Sequence, residues 1–252
     1  MKDKYFGDRN DMFKYDLALT LIAEIDGLRA FTFIPMLTPD DGRADGNLTD
    51  YPALAKHRPR LHRFLMGCVA EPARRRVTSL RDYMREDEGD VLYQPYMDSE
   101  FLTDANRVTY FRGVASDALT KSVVLVDPDN GFEVGQKSMR RVGANKYLRY
   151  AELADLYHRM GEASVLVVYQ HWAHIKRERA FSSVAERMKS VLPEALQPVC
   201  ISSGSIGFFA ITKTVELHTA VRDTIDKYAT KTGFTVYPSK EEAALFNVEG
   251  KS

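Results

Sequence analysis

A pair of aspartates split by one proline follows a continuous apolar run: residues 123–126, VVLV, lead directly into Asp127, Pro128, Asp129 and Asn130. Such carboxylates accept hydrogen bonds from a substrate amine or ligate a divalent cation. The same residue types also make a plain tight turn, with Gly131 supplying a positive φ. A second polar stretch, residues 38–47, carries Asp40, Asp41, Gly42 and Gly46 after an apolar segment, where α/β folds hold a nucleotide or nucleoside cofactor. It contains neither GxGxxG nor a P-loop, and an acidic surface loop is the plain alternative. The third stretch, Gln170, His171, Trp172, Ala173 and His174, sets two histidines three apart. That spacing suits a metal on a helix or a polar loop touching a substrate, against the commoner structural histidine pair.

Near the start, GDRND supplies Asp8 and Arg9, and Lys14 follows one helical turn later. If residues 8 and 127 converge, Asp8, Asp127 and Asp129 form a candidate set for Mg²⁺ or Mn²⁺. Glu133 and Lys137 stand further along the same loop, and Arg9, Lys14 and Gln170 are candidates for holding a substrate or its phosphate.

Lys plus Arg and Asp plus Glu number 35 each, so no net charge draws the chain toward nucleic acid or an anionic surface. Contact with nucleic acid therefore needs a local patch, and Arg58, Arg60, Arg63, Arg74, Arg75, Arg76, Arg81 and Arg85 concentrate in one region. Interleaved Glu71, Asp82, Glu86, Asp87 and Glu88 make a solvated helix face the competing reading. Cys68 and Cys200 form no CxxC pair and no disulfide framework, which suits buried thiols in a reducing compartment. No segment approaches the length of a membrane span, and the charged opening differs from a signal peptide, so the expectation is a cytoplasmic protein without a membrane partner.

The elements that must position these residues follow from periodicity. Apolar residues from Met12 to Ile25 recur at helical spacing and stop before Gly27, with Asp11 as the expected N-cap. Strands are expected at 31–37, 107–111, 123–126, 164–169, 198–202 and 206–212, with an edge strand at 234–237. Two helices are expected between 57 and 88, separated near Pro72, and further helices at 150–160, 175–192 and 215–228, while 90–103 reads as irregular. The alternation implies one α/β domain over 1–252. Its fold is expected to be Rossmann-like: a mainly parallel sheet, helices on both faces, a C-terminal antiparallel hairpin and a helical Arg-rich insertion at about 55–90. The uninterrupted apolar runs 123–126 and 164–169 are expected to be adjacent buried parallel strands.

In order, GDRNDMFKYDLALTLI, FTFIPMLTPDDGRADGN, RVTYFRGVASDAL, VVLVDPDNGF, VLVVYQHW and GSIGFFAIT resemble the bacterial ribosomal RNA adenine-N6 methyltransferases and the related three-Cys-motif partner proteins. The resemblance implies S-adenosylmethionine as methyl donor and nucleic acid as substrate. In that family the loop after the fourth strand reads Asp-Pro-Pro followed by an aromatic residue and holds the adenine amine. Asp127 and Pro128 match it here, while Asp129 and Asn130 stand in for the second proline and the aromatic. The family's glycine-rich donor loop corresponds to TPDDGRADG, placing Asp40, Asp41, Gly42 and Gly46 at the donor, with Asp127 and Asn130 gripping the substrate; Asp129 and His171 join the catalytic candidates from their residue types alone. Three readings stay open at this level, in order of preference: a divergent methyltransferase acting on nucleic acid, a divalent-metal nuclease or phosphodiesterase, and a non-catalytic binding protein on the same sheet.

Overall fold

The computed structural model describes residues 1–42, 46, 48–172 and 176–239. In chain order it contains α1 (Arg9–Glu24), β1 (Ala30–Ile34), α2 (Pro52–Ala55), α3 (Pro59–Ala70), α4 (Leu80–Asp87), β2 (Leu92–Pro95) and α5 (Arg107–Arg112). Then come β3 (Ser122–Val126), β4 (Gly131–Phe132), α6 (Gln136–Val142), β5 (Tyr147–Leu148), α7 (Tyr150–Arg159) and β6 (Val165–His171). The chain continues with α8 (Arg177–Val191), β7 (Val199–Ser203), β8 (Ile206–Ile211), α9 (Val215–Thr232) and β9 (Thr235–Tyr237).

Seven strands form the central sheet in the order β2-β1-β3-β6-β8-β7-β9, and β4 and β5 pair separately. β2, β1, β3 and β6 are mutually parallel, whereas the pairs β6 with β8, β8 with β7 and β7 with β9 are antiparallel. The sheet is therefore mostly parallel and compatible with a Rossmann-like fold.

Each central strand feeds two cores because its side chains alternate across the sheet. Val123, Leu125, Val165 and Val167 join residues of α1, α3, α4 and α9 on one face. Val124, Val126, Leu166 and Val168 join α5, α7 and α8 on the other. Both faces being covered explains why 123–126 and 165–168 are apolar without alternation; the two runs lie side by side, Val123 opposite Val165 and Val126 opposite Val168.

Three expectations are corrected. Residues 107–112 form helix α5 rather than a strand: buried Arg107, Tyr110 and Phe111 follow the i, i+3, i+4 helical period, and the Arg107 guanidinium is held by Glu152. The stretch expected to be irregular contains β2, which pairs with β1 from Ala30 opposite Leu92 to Phe33 opposite Pro95. Pro95 suits that sheet edge because it lacks an N–H. The N-cap of α1 is Asp8, not Asp11: its carboxylate accepts from the backbone N–H of Asn10 (2.8 Å) and of Asp11 (3.0 Å). Among the described residues no helix is long and apolar enough to cross a membrane.

Candidate functional site at the carboxyl edge of the sheet

From β1 the chain crosses to β2 on one side and later to β3 on the other, so the strand order reverses between β1 and β3. In open α/β sheets the crevice beyond the carboxyl ends of the strands at such a reversal is where ligands bind. Asp127 stands there, directly after β3, with its N–H donated to the Ile34 carbonyl at 2.9 Å. The start of α1 is brought against it. Gly7 has φ +85, and a Cβ there would lie 2.7 Å from Val69 Cγ2 and 3.0 Å from the Leu65 carbonyl oxygen, so only glycine allows this approach to α3.

Asp8, the N-cap of α1, and Asp11 and Lys14 within the helix are spaced by three. Lys14 Nζ lies 2.7 Å from Asp11 Oδ1 and 2.5 Å from Asp127 Oδ2, all three side chains being nearly inaccessible. Its ammonium also sits 5.7 Å from the ring centres of Tyr15 and Tyr169. Asp11 Oδ2 accepts from the Gly7 N–H at 3.2 Å, fixing the carboxylate that holds the lysine.

Burial and charge compete in this cluster. Loss of solvation raises the Asp11 pKa to about 7, the attraction of Lys14 offsetting it only in part while Asp8 and Asp127 add repulsion. Burial raises Asp8 as well, against its backbone hydrogen bonds and Lys14. For Lys14, burial opposes the charge, but Asp11 and Asp127 together outweigh it and the pKa is raised. Asp129 is the counterpart: burial is again the largest influence, yet the Met1 ammonium, 2.7 Å from Oδ1, and the Thr38 hydroxyl, donating to Oδ2 at 2.6 Å, hold its carboxyl below the ordinary value. Met1 also donates to the Met36 carbonyl (3.1 Å) and the Asp127 carbonyl (3.2 Å).

These groups line a cavity of about 360 Å³. Asp8, Asp11, Lys14, Asp127, Asp129 and Asn130 stand on its polar wall, Tyr5, Tyr169 and Leu48 on its apolar surface, and His171 and Ser205 also border it. Gly46 also borders it, with φ +93 and no room for a Cβ beside the Lys4 carbonyl and the Tyr5 ring. Behind it, buried Met36 takes a left-handed backbone (φ 44) and donates its N–H to the Tyr110 hydroxyl at 3.2 Å. Such a conformation in a non-glycine residue is held by its surroundings and is common beside ligand sites.

The site thus joins Asp8, Lys14, Asp127, Asp129, Asn130, His171 and Gly46, as the sequence suggested, and leaves other candidates apart. Gln170 is a structural clip, its Oε1 accepting the Phe132 N–H (2.9 Å) and its Nε2 donating to the His171 carbonyl (2.6 Å). Arg9 donates to Ser203 Oγ at 2.8 Å, tying α1 to β7. Asp40 pairs with Lys4, and Asp41 with Lys2, Lys4 and Lys146. The Lys2 hydrogen bond leads the influences that hold the Asp41 carboxyl below its ordinary value, so this acidic pair binds lysines of its own chain. Gly42 closes that turn by donating its N–H to Asp40 Oδ1 at 3.0 Å. Glu133 accepts from the Tyr150 N–H at 2.9 Å, Lys137 lies on α6, and His174 lies outside the described residues.

The sequence reading missed Asp11 and Tyr169. The three-residue spacing of Asp8, Asp11 and Lys14 was the available signal for the first, since i, i+3 and i+6 share a helix face. Nothing marked Tyr169, the end of an apolar run.

The carboxylates of the cluster are each engaged by groups of the chain itself. Asp8 is committed to capping α1, Asp127 to Lys14, and Asp129 to Met1 and Thr38. Among the described residues no three His, Cys, Asp or Glu groups are placed to hold a metal ion. The buried ammonium of Lys14 already lies where Asp11 and Asp127 would otherwise share a cation. Even with Asp11 protonated, the three carboxylates of Asp8, Asp127 and Asp129 face two ammonium groups, which favours a cationic ligand over an anionic one.

Comparison with family models, with curated proteins and with solved structures gives no match.

Proposed function

We propose that the cavity at the carboxyl edge binds S-adenosylmethionine and that the protein is a divergent methyltransferase-like enzyme whose acceptor is an amine on a nucleic-acid base. The observation that carries this reading is the convergence, at the strand-order reversal, of the first turns of α1 with the Asp127–Asn130 loop around one carboxylate-rich cavity. About 300–1,000 Å³ is usual for a small-molecule site, and this one falls within it. The donor would supply its methyl group from a positively charged sulfonium. An excess of carboxylate favours that cation over the neutral demethylated product, and Tyr5 and Tyr169 offer aromatic surface to a nucleoside.

Asp127 is the group that would accept an N–H of the substrate amine, with Asn130 beside it on the same loop. Lys14 keeps a positive charge against Asp127 and fixes where its carboxylate points. The donor's expected contacts shift accordingly from Asp40 and Asp41, which are ion-paired, to Gly46 and the start of α1. The Arg-rich region does not enter the reading: Arg58 is held by Asp16 and Glu88, Arg60 by Asp87, Arg81 by Asp98 and Arg85 by Asp82. Nucleic acid as substrate rests on the resemblance of the six segments.

Calorimetric titration with S-adenosylmethionine, its demethylated product and Mg²⁺ tests this directly. The reading expects the donor to bind at least about tenfold more tightly than the product, a difference of about 1.4 kcal/mol. It expects Asp127→Ala to retain donor binding while abolishing transfer of a labelled methyl group to RNA or DNA. A wild-type protein that binds Mg²⁺ and not the donor would overturn it.

A further inference from the structure

Between Asn130 and Leu148 the chain leaves the cavity wall and returns to it. Asn130 borders the cavity and donates its N–H to the Lys146 carbonyl at 2.9 Å, while Lys146 Nζ lies 3.3 Å from Asp41 Oδ2. β4 and β5 pair at the base of this excursion, Gly131 opposite Tyr147 and Phe132 opposite Leu148, and α6 lies between the two anchored ends.

From Val134 to Arg149 the chain carries Lys137, Arg140, Arg141, Lys146 and Arg149 and no carboxylate. Lys146 pairs with Asp41, and Arg149 lies 3.8 Å from Asp104. Lys137, Arg140 and Arg141 are exposed, and among the described residues none of the three is ion-paired. Their i, i+3, i+4 spacing puts them on one face of α6, with Met139 and Val142, both partly buried, on the other. Fold stability does not call for such a strip: like charges at these spacings repel, and Lys137, a cation in the first turn, opposes the helix dipole. The Arg-rich region differs, since Arg60 and Arg85 have Asp87 and Asp82 beside them.

The cavity's own charge says where phosphate has to be held. Its carboxylates repel a phosphate, so a nucleic acid whose base enters it must be attracted from outside. Enzymes acting on a base take it out of the stack, which leaves the flanking phosphates beyond the pocket.

We propose that the outer face of α6, Lys137, Arg140 and Arg141, grips phosphates of the strand whose base occupies the cavity. The inference rests on the reading of that cavity as a methyl-transfer site. Reach fits: Arg141 is five residues from Lys146, which is bonded to Asn130 of the cavity wall. Those residues span at most about 17 Å, and a strand rises about 3.4 Å per nucleotide, so the contacts fall within about five nucleotides of the reacting base.

The test compares the wild type with a chain carrying Lys137→Gln, Arg140→Gln and Arg141→Gln, and with a control carrying Arg60→Gln, Arg63→Gln and Arg85→Gln. Fluorescence anisotropy with labelled single-stranded RNA and DNA reads affinity over a range of salt, and calorimetry with S-adenosylmethionine reads the cavity. The α6 variant should bind the preferred strand at least about tenfold more weakly, with a log–log salt slope shallower by about 2, since each single-strand phosphate contact contributes about 0.7. Its donor affinity should match that of the wild type, and the control should stay within about twofold for nucleic acid. A chain with Lys137→Arg, Arg140→Lys and Arg141→Lys should bind as the wild type does, because the contact is one of charge. Unchanged affinity and slope in the α6 variant would overturn the proposal. So would a wild type that binds neither oligonucleotide, whether or not it binds phosphatidylserine vesicles. A wild type that binds an oligonucleotide through α6 but not the donor would sink the methyl-transfer reading and leave the phosphate-gripping face standing.

Discussion

The carboxyl-edge cluster and the Arg-rich region between 58 and 88 use the same two kinds of charge in opposite ways. Around Lys14, Asp11 and Asp127 the ions are buried, so each depends on its partner to offset lost solvation. Along α3 and α4 most pairs, such as Arg85 with Asp82 and Arg60 with Asp87, have one or both partners largely exposed. Water screens such pairs, and removing one partner leaves nothing stranded. The most exposed of the arginines that stood out in the sequence, Arg60 and Arg85, are thus energetically quiet, and a single unremarkable lysine is the consequential charge.

The largest effect should come from placing a charge where the cluster's compensation is absent. Val124→Asp puts an unpaired carboxylate in the centre of the sheet, at a position with no solvent exposure, and should yield no folded protein by circular dichroism. Lys14→Met should follow, costing about 3–5 kcal/mol in denaturant unfolding because two carboxylates lose their shared cation. Adding Asp11→Asn to Lys14→Met should recover part of that loss. If Lys14→Met cost no more than a surface pair, the contrast between the regions would collapse.

Asp11 gives the contrast a pH signature. Its pKa rises from 3.8 to about 7 on folding, so between those values the native state holds a proton that the unfolded chain has released. Stability from this group is full below about pH 4 and is lost as pH rises through about 7. Asp11→Asn should flatten that part of the stability curve, measured by chemical denaturation across the window. A variant with an unchanged slope would remove Asp11 as its source.

Within the Arg-rich region one pair sharpens the comparison. Arg81 makes two hydrogen bonds, of 2.8 and 2.6 Å, to Asp98, whose side chain is only 1% exposed although the arginine is half exposed. Arg81→Ala should cost about 1.5 kcal/mol, between the two extremes. Arg85→Ala, at a fully surface pair, should shift stability by no more than about 0.5 kcal/mol.

Much of the architecture was legible without coordinates. The apolar runs at 123–126 and 165–168, the amphipathic segment after GDRND and the spacing of later helices imply a mostly parallel α/β sheet, because burial on both faces requires uninterrupted apolar strands. The polar loops directly after those strands could be placed on one sheet edge for the same reason. Helix α5 was misread because Arg107 and Thr109 interrupt its apolar residues with a strand-like alternation, while the contact that makes Arg107 an inward residue, Glu152, lies 45 positions away. Asp11 looked like a capping residue and Asp40 and Asp41 like open acids, since sequence gives residue types and not partners. Local spacing by itself determined which residues share a helix face or a strand end. Only the tertiary structure decided that Asp127 joins Lys14 and Asp11 while Lys2, Lys4 and Lys146 close over Asp41, because these pairings to Asp127 and Asp41 depend on distances across 37 to 113 residues of chain, which no local pattern encodes.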